Sequence, residues 1–373
     1  MNQVAGLDIN VAIIVVGCVC IFYTSIGGMK AVIWTDVYQS IWMLSGFMAV
    51  IIAAAVDFEG FGNVFDIVVK NGRLPQQYEF DPRYRHTFWT VLIGNCVGAE
   101  IASFCCQQYK VQRYLTCKSL SEAQKSIFIS IPVTASISVM ALLAGWCAHA
   151  YFENCDPIQA GWVTDRDQIL PYLSLYLFAE AAPGVAGIYM SAVFGASLST
   201  TSSSINSCSV VLIEDVLKPF VKIKKSIIPV LSKIIMLVVG AAILGFAYLS
   251  KNFDGITQAC QSINGMVGGP TIGFYTIGIF MPFISEMPAL AGLISGLGVS
   301  IWVFVGQNQF PAGPEWSRPM EQTIESCNME SLGRTSFLTG NQTEFISDFG
   351  QFADNSDSTG LMGLYHMSYW LVP

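Results

Sequence analysis

Charge is what this sequence lacks most. Only 12% of its 373 residues are Asp, Glu, Lys or Arg, about half the fraction usual in globular chains. Against that, 53% are apolar and the mean hydropathy is +0.53. A soluble fold of this length needs more polar surface than these residues supply. Histidine is scarce too: His86, His149 and His366 fall near apolar-run boundaries in different connections, with no H-E-x-x-H pattern and no clustered acids. No Walker sequence and no dinucleotide fingerprint occurs, which argues against ATP as an energy source and against nicotinamide chemistry. The net charge of −8 does not point to a nucleic-acid partner. Eleven cysteines lie mostly in apolar runs without metal-ligand spacing, as packing residues do. Met1–Ala5 has no basic segment and no small-residue cleavage site, so no cleavable signal peptide is read there. No enzyme signature remains.

What the chain has instead is apolar runs of membrane-spanning length. They are read at 8–25, 33–56, 87–107, 127–150, 182–216, 226–250, 255–280 and 289–306, with a last one starting near Gly363. The expectation is an all-α polytopic membrane protein of about eight complete spans plus a truncated one. Orientation follows from the basic residues. If the connection 26–32 with Lys30 lies inside, the next inside loops carry Lys110, Arg113, Lys118 and Lys125, then Lys218, Lys222, Lys224 and Lys225. The intervening loops hold Asp57, Glu59, Asp66, Glu79 and Asp81, then Glu153, Asp156, Asp165 and Asp167. Residues 307–362 fall outside in this arrangement and contain Asn341-Gln342-Thr343, an N-glycosylation sequon at Asn341. Cys155 and Cys327 share that side, where they either pair or remain free thiols. A short helix over 169–180 is expected on the outer surface.

The most unusual stretch is GIYMSAVFGASLSTTSSSINSCSVVLIEDVLKP, Gly187–Pro219. On a helical count Ala196, Ser199, Thr200, Ser203 and Ser207 share one stripe, with Asn206 beside it. Hydrocarbon offers these hydroxyls no water, so they face protein, a cavity or an ion. Two readings stand: small residues let helices approach closely, or hydroxyl oxygens ligate a hard cation such as sodium without a buried charge.

Two other spans carry candidates. Glu100, in GNCVGAEIASFCCQQ, is read as the one acid well inside a span, either functional or a hydrogen-bonded cavity wall. Gly94, Asn95 and Gly98 in the same span favour a helix break, of the kind at which transporters bind solutes. Gln107 and Gln108 at its end line a cavity or cap the helix. Gly265, Gly268, Gly269 and Pro270 make a second glycine-rich span a kink or a hinge, with Gln258 and Gln261 toward the outside.

Five stretches in order, YTSIGGMKAVIWTDVYQ (Tyr23–Gln39), VQRYL (Val111–Leu115), LSTTSSSINS (Leu198–Ser207), EDVLKP (Glu214–Pro219) and GMVGGP (Gly265–Pro270), together resemble the sodium/solute symporter family. The branch they resemble holds the sodium-coupled monocarboxylate, multivitamin and iodide transporters. The resemblance implies a leucine-transporter-type fold, with ten core helices in two inverted five-helix repeats. Residues 8–56 would be the last two helices of the first repeat and 87–280 the second. Residues 289–306 would be a flanking helix, 307–362 an extracellular loop, and 363–373 the start of a truncated helix. The resemblance also implies a sodium site at the Ala196 carbonyl, Ser199, Thr200 and Ser203. Ser202 and Asn206 would lie on the ion path, and Gln261 would match a substrate-contacting glutamine of the sugar branch.

Gln107 stands where close relatives commonly have Asn, and Lys110 adds a charge beside VQRYL. The family's first three core helices have no counterpart here, so the chain is expected to be a fragment. The implied activity is plasma-membrane symport of sodium, the only metal called for, with a small organic anion such as a monocarboxylate, biotin or pantothenate. No cofactor is needed. The alternative is a non-transporting truncated isoform or sensor that associates with full-length symporters.

Overall fold

The computed structural model describes residues 8–74, 80–81, 87–178, 182–249, 256–309, 324 and 327. Its secondary structure is helical: α1 (Ile9–Asp57), α2 (Phe61–Lys70), a π-helix (Thr90–Cys106), α3 (Gln108–Leu115), α4 (Leu120–Tyr151), α5 (Ile169–Phe178), α6 (Pro183–Val211), α7 (Ile228–Leu249), α8 (Ile256–Phe280) and α9 (Glu286–Gln309). Among the described residues, α1, α4, α7 and α9 are long and apolar enough to cross a membrane. Large apolar side chains stay exposed along them, such as Phe22, Trp34, Phe128 and Phe246, as lipid contact requires.

The chain forms two compact units. The first comprises residues 1–74, 108–153 and 163–254; the second comprises 75–107, 154–162 and 255–373.

In the first unit α1 is 49 residues long, about 74 Å at the α-helical rise and more than twice a hydrocarbon core. It is broken at Gly28, whose φ of 57° and ψ of −155° lie outside the helical region, a conformation glycine adopts without strain. The expected connection at 26–32 is therefore a single-residue kink, and Lys30 already belongs to the second arm.

That arm runs antiparallel to α6. Met29 meets Asn206, Asp36 meets Ser199, Gln39 lies on Gly195, and Gly46 lies on Ala192 and Tyr189. Residues 29, 32, 36, 39, 46 and 50 recur at spacings of three, four and seven residues, one face of a helix. A Cβ on Gly46 would lie 3.0 Å from the Ala192 Cβ and 3.3 Å from the Tyr189 Cα. The two backbones approach closely because that position has no side chain.

The first arm packs against α7 in the same manner. Gly240 faces Ile21, and Cys20, Ile205 and Met236 form a small buried cluster. The larger core gathers Val50, Ala54, Val64, Ala144, Cys147, Leu173, Phe178 and Tyr189 from α1, α2, α4, α5 and α6. The helix expected at 169–180 is present as α5. It buries Tyr172, Leu173, Ser174 and Phe178. Burial, with Tyr176 adding to it, pushes the Tyr172 phenol above its usual range.

In the second unit the π-helix replaces the expected break at Gly94, Asn95 and Gly98: the run is continuous, with wider i→i+5 pairing. Gly268 of α8 packs against Ala102 and the Gly98 carbonyl, and Gly296 of α9 packs on Pro270. Cys155 and Cys327 form a disulfide with Cα atoms 4.9 Å apart. Asn341 and residues 328–373 lie outside the described residues.

Candidate cation site

Pro183 stands in the first turn of α6, where its missing N–H costs nothing. The hydroxyls further along divide by where they bond. Thr200 donates to the Ala196 carbonyl (3.4 Å), Ser202 to the Ser199 carbonyl (3.0 Å) and Ser207 to the Ser204 carbonyl (3.1 Å). Such bonds within one helix satisfy a hydroxyl in an apolar setting and need no ligand. Ser199 and Ser203 differ, because both reach across to other elements.

The Ser199 hydroxyl donates to Asp36 Oδ1 at 2.5 Å. Arg113, from α3, places Nη2 on both Asp36 Oδ2 and the Ser203 hydroxyl. Asp36 is 9% exposed, Ser203 4% and Ser202 0%. Asp36 comes from the second arm of α1, Arg113 from α3, and Ser199 and Ser203 from α6. Three of the stretches that carry the family resemblance thus meet at one carboxylate. Around it, the Tyr23 hydroxyl donates to the Leu198 carbonyl (3.1 Å), and Gln112 Nε2 to the Ser207 carbonyl (3.2 Å). Asn206 is buried against Met29.

Glu100 is not the only acid set within a long helix: Asp36 is a second. Asp36 lies two turns into the second arm of α1 and is buried, whereas Glu100 is exposed on the π-helix of the second unit. Reading the stripe as hydroxyls without a buried charge is corrected by the same residue. Gln107 also belongs to the second unit; its Oε1 is buried without a partner among the described residues. Gln261 is half-buried on α8 beside the buried Ser262. The side chains of Asn95 and Gln258 lie outside the described residues. Within the first unit, Ser199, Ser203, Ser202 and Asn206 are brought together, with Ala196 one turn before Ser199 and Thr200 on a more exposed face.

Sequence reasoning missed Asp36 and Arg113. The signal was available: a lone acid at helical spacing from Val32 and Gln39, and a lone arginine in VQRYL.

Chemically, the carboxylate and two hydroxyls form an oxygen-rich cradle suited to a hard cation. The cation lying against it is Arg113. Burying the carboxylate costs several kcal/mol unless it is paired, and the guanidinium does this with donors on Oδ2 and Ser203. A metal ion binding there would have to take over part of that pairing.

A family model described as "Sodium:solute symporter family" matches residues 1–296. The chain is 37% identical over 335 residues to sodium-coupled monocarboxylate transporter 1 of Xenopus laevis, covering 89% of this chain and 53% of that protein. To the human sodium-coupled monocarboxylate transporter 2 it is 33% identical over 337 residues, covering 90% and 54%. It thus spans about half the length of these curated relatives. A solved Na+-coupled sialic acid symporter, described as substrate-bound and outward-open, shares the fold with a TM-score of 0.63 at 22% identity. The likeness covers 81% of this chain and 60% of that one. Its helices and its relatives make the chain part of a multi-pass membrane protein, and it belongs to the sodium:solute symporter family.

Proposed function

We propose that this chain carries the cation-coupling part of a sodium-driven symporter of a small organic anion at the plasma membrane. The observation that carries the reading is Asp36, held between Ser199 and the Arg113–Ser203 pair in a family whose relatives bear sodium-coupled names. Sodium takes oxygen ligands from Asp36, Ser199 and Ser203, with Thr200 and the Ala196 carbonyl one face over. Ser202 and Asn206 line the approach. Because Arg113 already neutralises the carboxylate, sodium binding exchanges one cation for another. This lets ion occupancy bias two arrangements of α3 against α6, and a ligand shifts such an equilibrium only by its differential affinity for the two states.

In this reading the helices follow the leucine-transporter-type plan, with 8–56 closing a first repeat and 87–280 forming a second. Residues 289–306 flank them, and the segment from 307 to 362 is extracellular. Glu100, Gln107 and Gln261 line the solute path, and Gly94, Gly98, Gly268, Gly269 and Pro270 serve as hinges. A monocarboxylate is the favoured solute class, because the relatives are named for it; a vitamin carboxylate is the second.

The test is uptake into proteoliposomes of a labelled short monocarboxylate, with biotin in a parallel arm, under an inward sodium gradient. Uptake should collapse when choline replaces sodium, and in Asp36→Asn. Uptake indifferent to sodium would overturn the reading.

A further inference from the structure

A cavity of about 470 Å³ lies where the chain leaves α6 and turns into α7. It is an open groove with a mostly apolar lining: Leu217, Val221, Ile223, Ile227 and Leu231. Lys222 and Lys224 also line it. From the structure we infer that this cavity is a binding site for an acidic phospholipid of the leaflet that faces the basic loops. The headgroup phosphate would sit at Lys222 and Lys224, with an acyl chain over Ile227 and Leu231.

Three observations choose this occupant. The first is depth. The cavity ends at the first turns of α7, one of the helices long and apolar enough to cross a membrane, so it opens at the boundary between headgroups and hydrocarbon.

The second is charge. Lys218 is already neutralised by Glu214, which takes its ammonium on both carboxylate oxygens. Lys222, Lys224 and Lys225 have no ion-pair partner among the described residues and are exposed. Asp215, exposed on the preceding turn, is the acid nearest in sequence to this group that Lys218 does not engage. Basic clusters on the inner side of a membrane helix attract acidic lipid at about 1 kcal/mol per residue. The N-terminus of α7, a helix of 22 residues, adds positive potential on the same side.

The third is shape. A solvated basic loop needs no cavity, and an inorganic anion has no use for a floor of Leu, Val and Ile. A molecule with an anionic head and an apolar tail uses both.

The experiment uses the whole chain in phosphatidylcholine vesicles with a minor fraction of phosphatidylserine, and native mass spectrometry reads the lipids that stay bound on release. The readout is independent of transport. The expected result is retained phosphatidylserine, reduced roughly tenfold or more in Lys222→Gln/Lys224→Gln and unchanged in Lys118→Gln/Lys125→Gln. The latter pair removes two basic residues of the same side but none of the cavity. Ile227→Trp, which fills the floor and keeps every charge, should also lower retention. Three results would overturn the inference: equal loss from both lysine pairs, which makes the attraction diffuse; full displacement by soluble glycerophosphoserine, which makes the site one for free phosphate esters; or no preference over phosphatidylcholine.

Discussion

Replacing Asp36 with Asn keeps the shape of the side chain and removes the charge that holds Arg113. In wild type the guanidinium touches both Asp36 and Ser203, and the two side chains of the ion pair are 32% (Arg113) and 12% (Asp36) exposed. Breaking a fully buried pair by removing one partner costs about 3–5 kcal/mol, mainly because the remaining charge is left uncompensated. Arg113 keeps about a third of its exposure, so water recovers part of that penalty. A loss of roughly 2–3 kcal/mol is expected for Asp36→Asn. Arg113→Gln strands the better-buried carboxylate and should cost as much or more. The double variant has no stranded charge and should lose at least about 1 kcal/mol less than the sum of the single losses. Denaturant unfolding of the purified chain in detergent, followed through tryptophan fluorescence, measures all four corners of this cycle. Additive losses, or an Asp36→Asn cost below about 0.5 kcal/mol, would show that the contact does not hold α3 to α1 and α6.

The other predictions concern neighbouring residues. Ser199→Ala removes a donor to the carboxylate and should cost about 1.5–3 kcal/mol. Thr200→Ala, exposed and bonded within its own helix, should stay within about 0.5 kcal/mol of wild type by the same assay. Gly46→Val pushes branched carbon onto Ala192 and the Tyr189 backbone; a loss of about 1–3 kcal/mol is expected, with Gly62→Val, open on that side, as the control. Proteolytic cleavage between α6 and α7 should leave two fragments joined through Cys155 and Cys327 until a reductant is added. On a non-reducing denaturing gel, fragments that separate without reductant, as those of Cys155→Ser should, would contradict the pairing.

Much of this architecture was legible in the sequence, because it rests on long apolar runs and on period-3.6 patterning. The runs at 182–216, 226–250 and 255–280 coincide closely with α6, α7 and α8. The hydroxyl stripe was visible because so many serines inside one apolar run are rare. Its meaning was only half visible. A helical count groups Ser199, Thr200, Ser203 and Ser207, but only the partner across the interface tells a hydroxyl bonded to its own helix from one that reaches out.

The role of Asp36 is hidden in the sequence for a definite reason. With a loop assumed at 26–32, an acid at position 36 looks like a membrane-boundary residue. The kink at Gly28 shortens that loop to one residue and carries the helix down past Met29, which buries Asp36. Around Glu100 an α-helical count does not hold, because the run is π-helical and the wider winding turns side chains onto other faces. In the sequence Arg113 reads as a loop cation that sets orientation. Its role depends on α3 lying against α6, a tertiary fact with no local signature.

The central claim, that Asp36 and Ser199 take part in binding sodium, is tested most directly by sodium-dependent stability of the whole chain at constant ionic strength, with choline as the replacement ion. A ligand that binds only the folded state stabilises it by about 1.4 kcal/mol at ten times its dissociation constant. The account predicts a saturable rise in the unfolding midpoint with sodium in wild type, one that shifts to higher concentration in Ser199→Ala and disappears in Asp36→Asn. The same rise in all three proteins, or none in wild type, would contradict it.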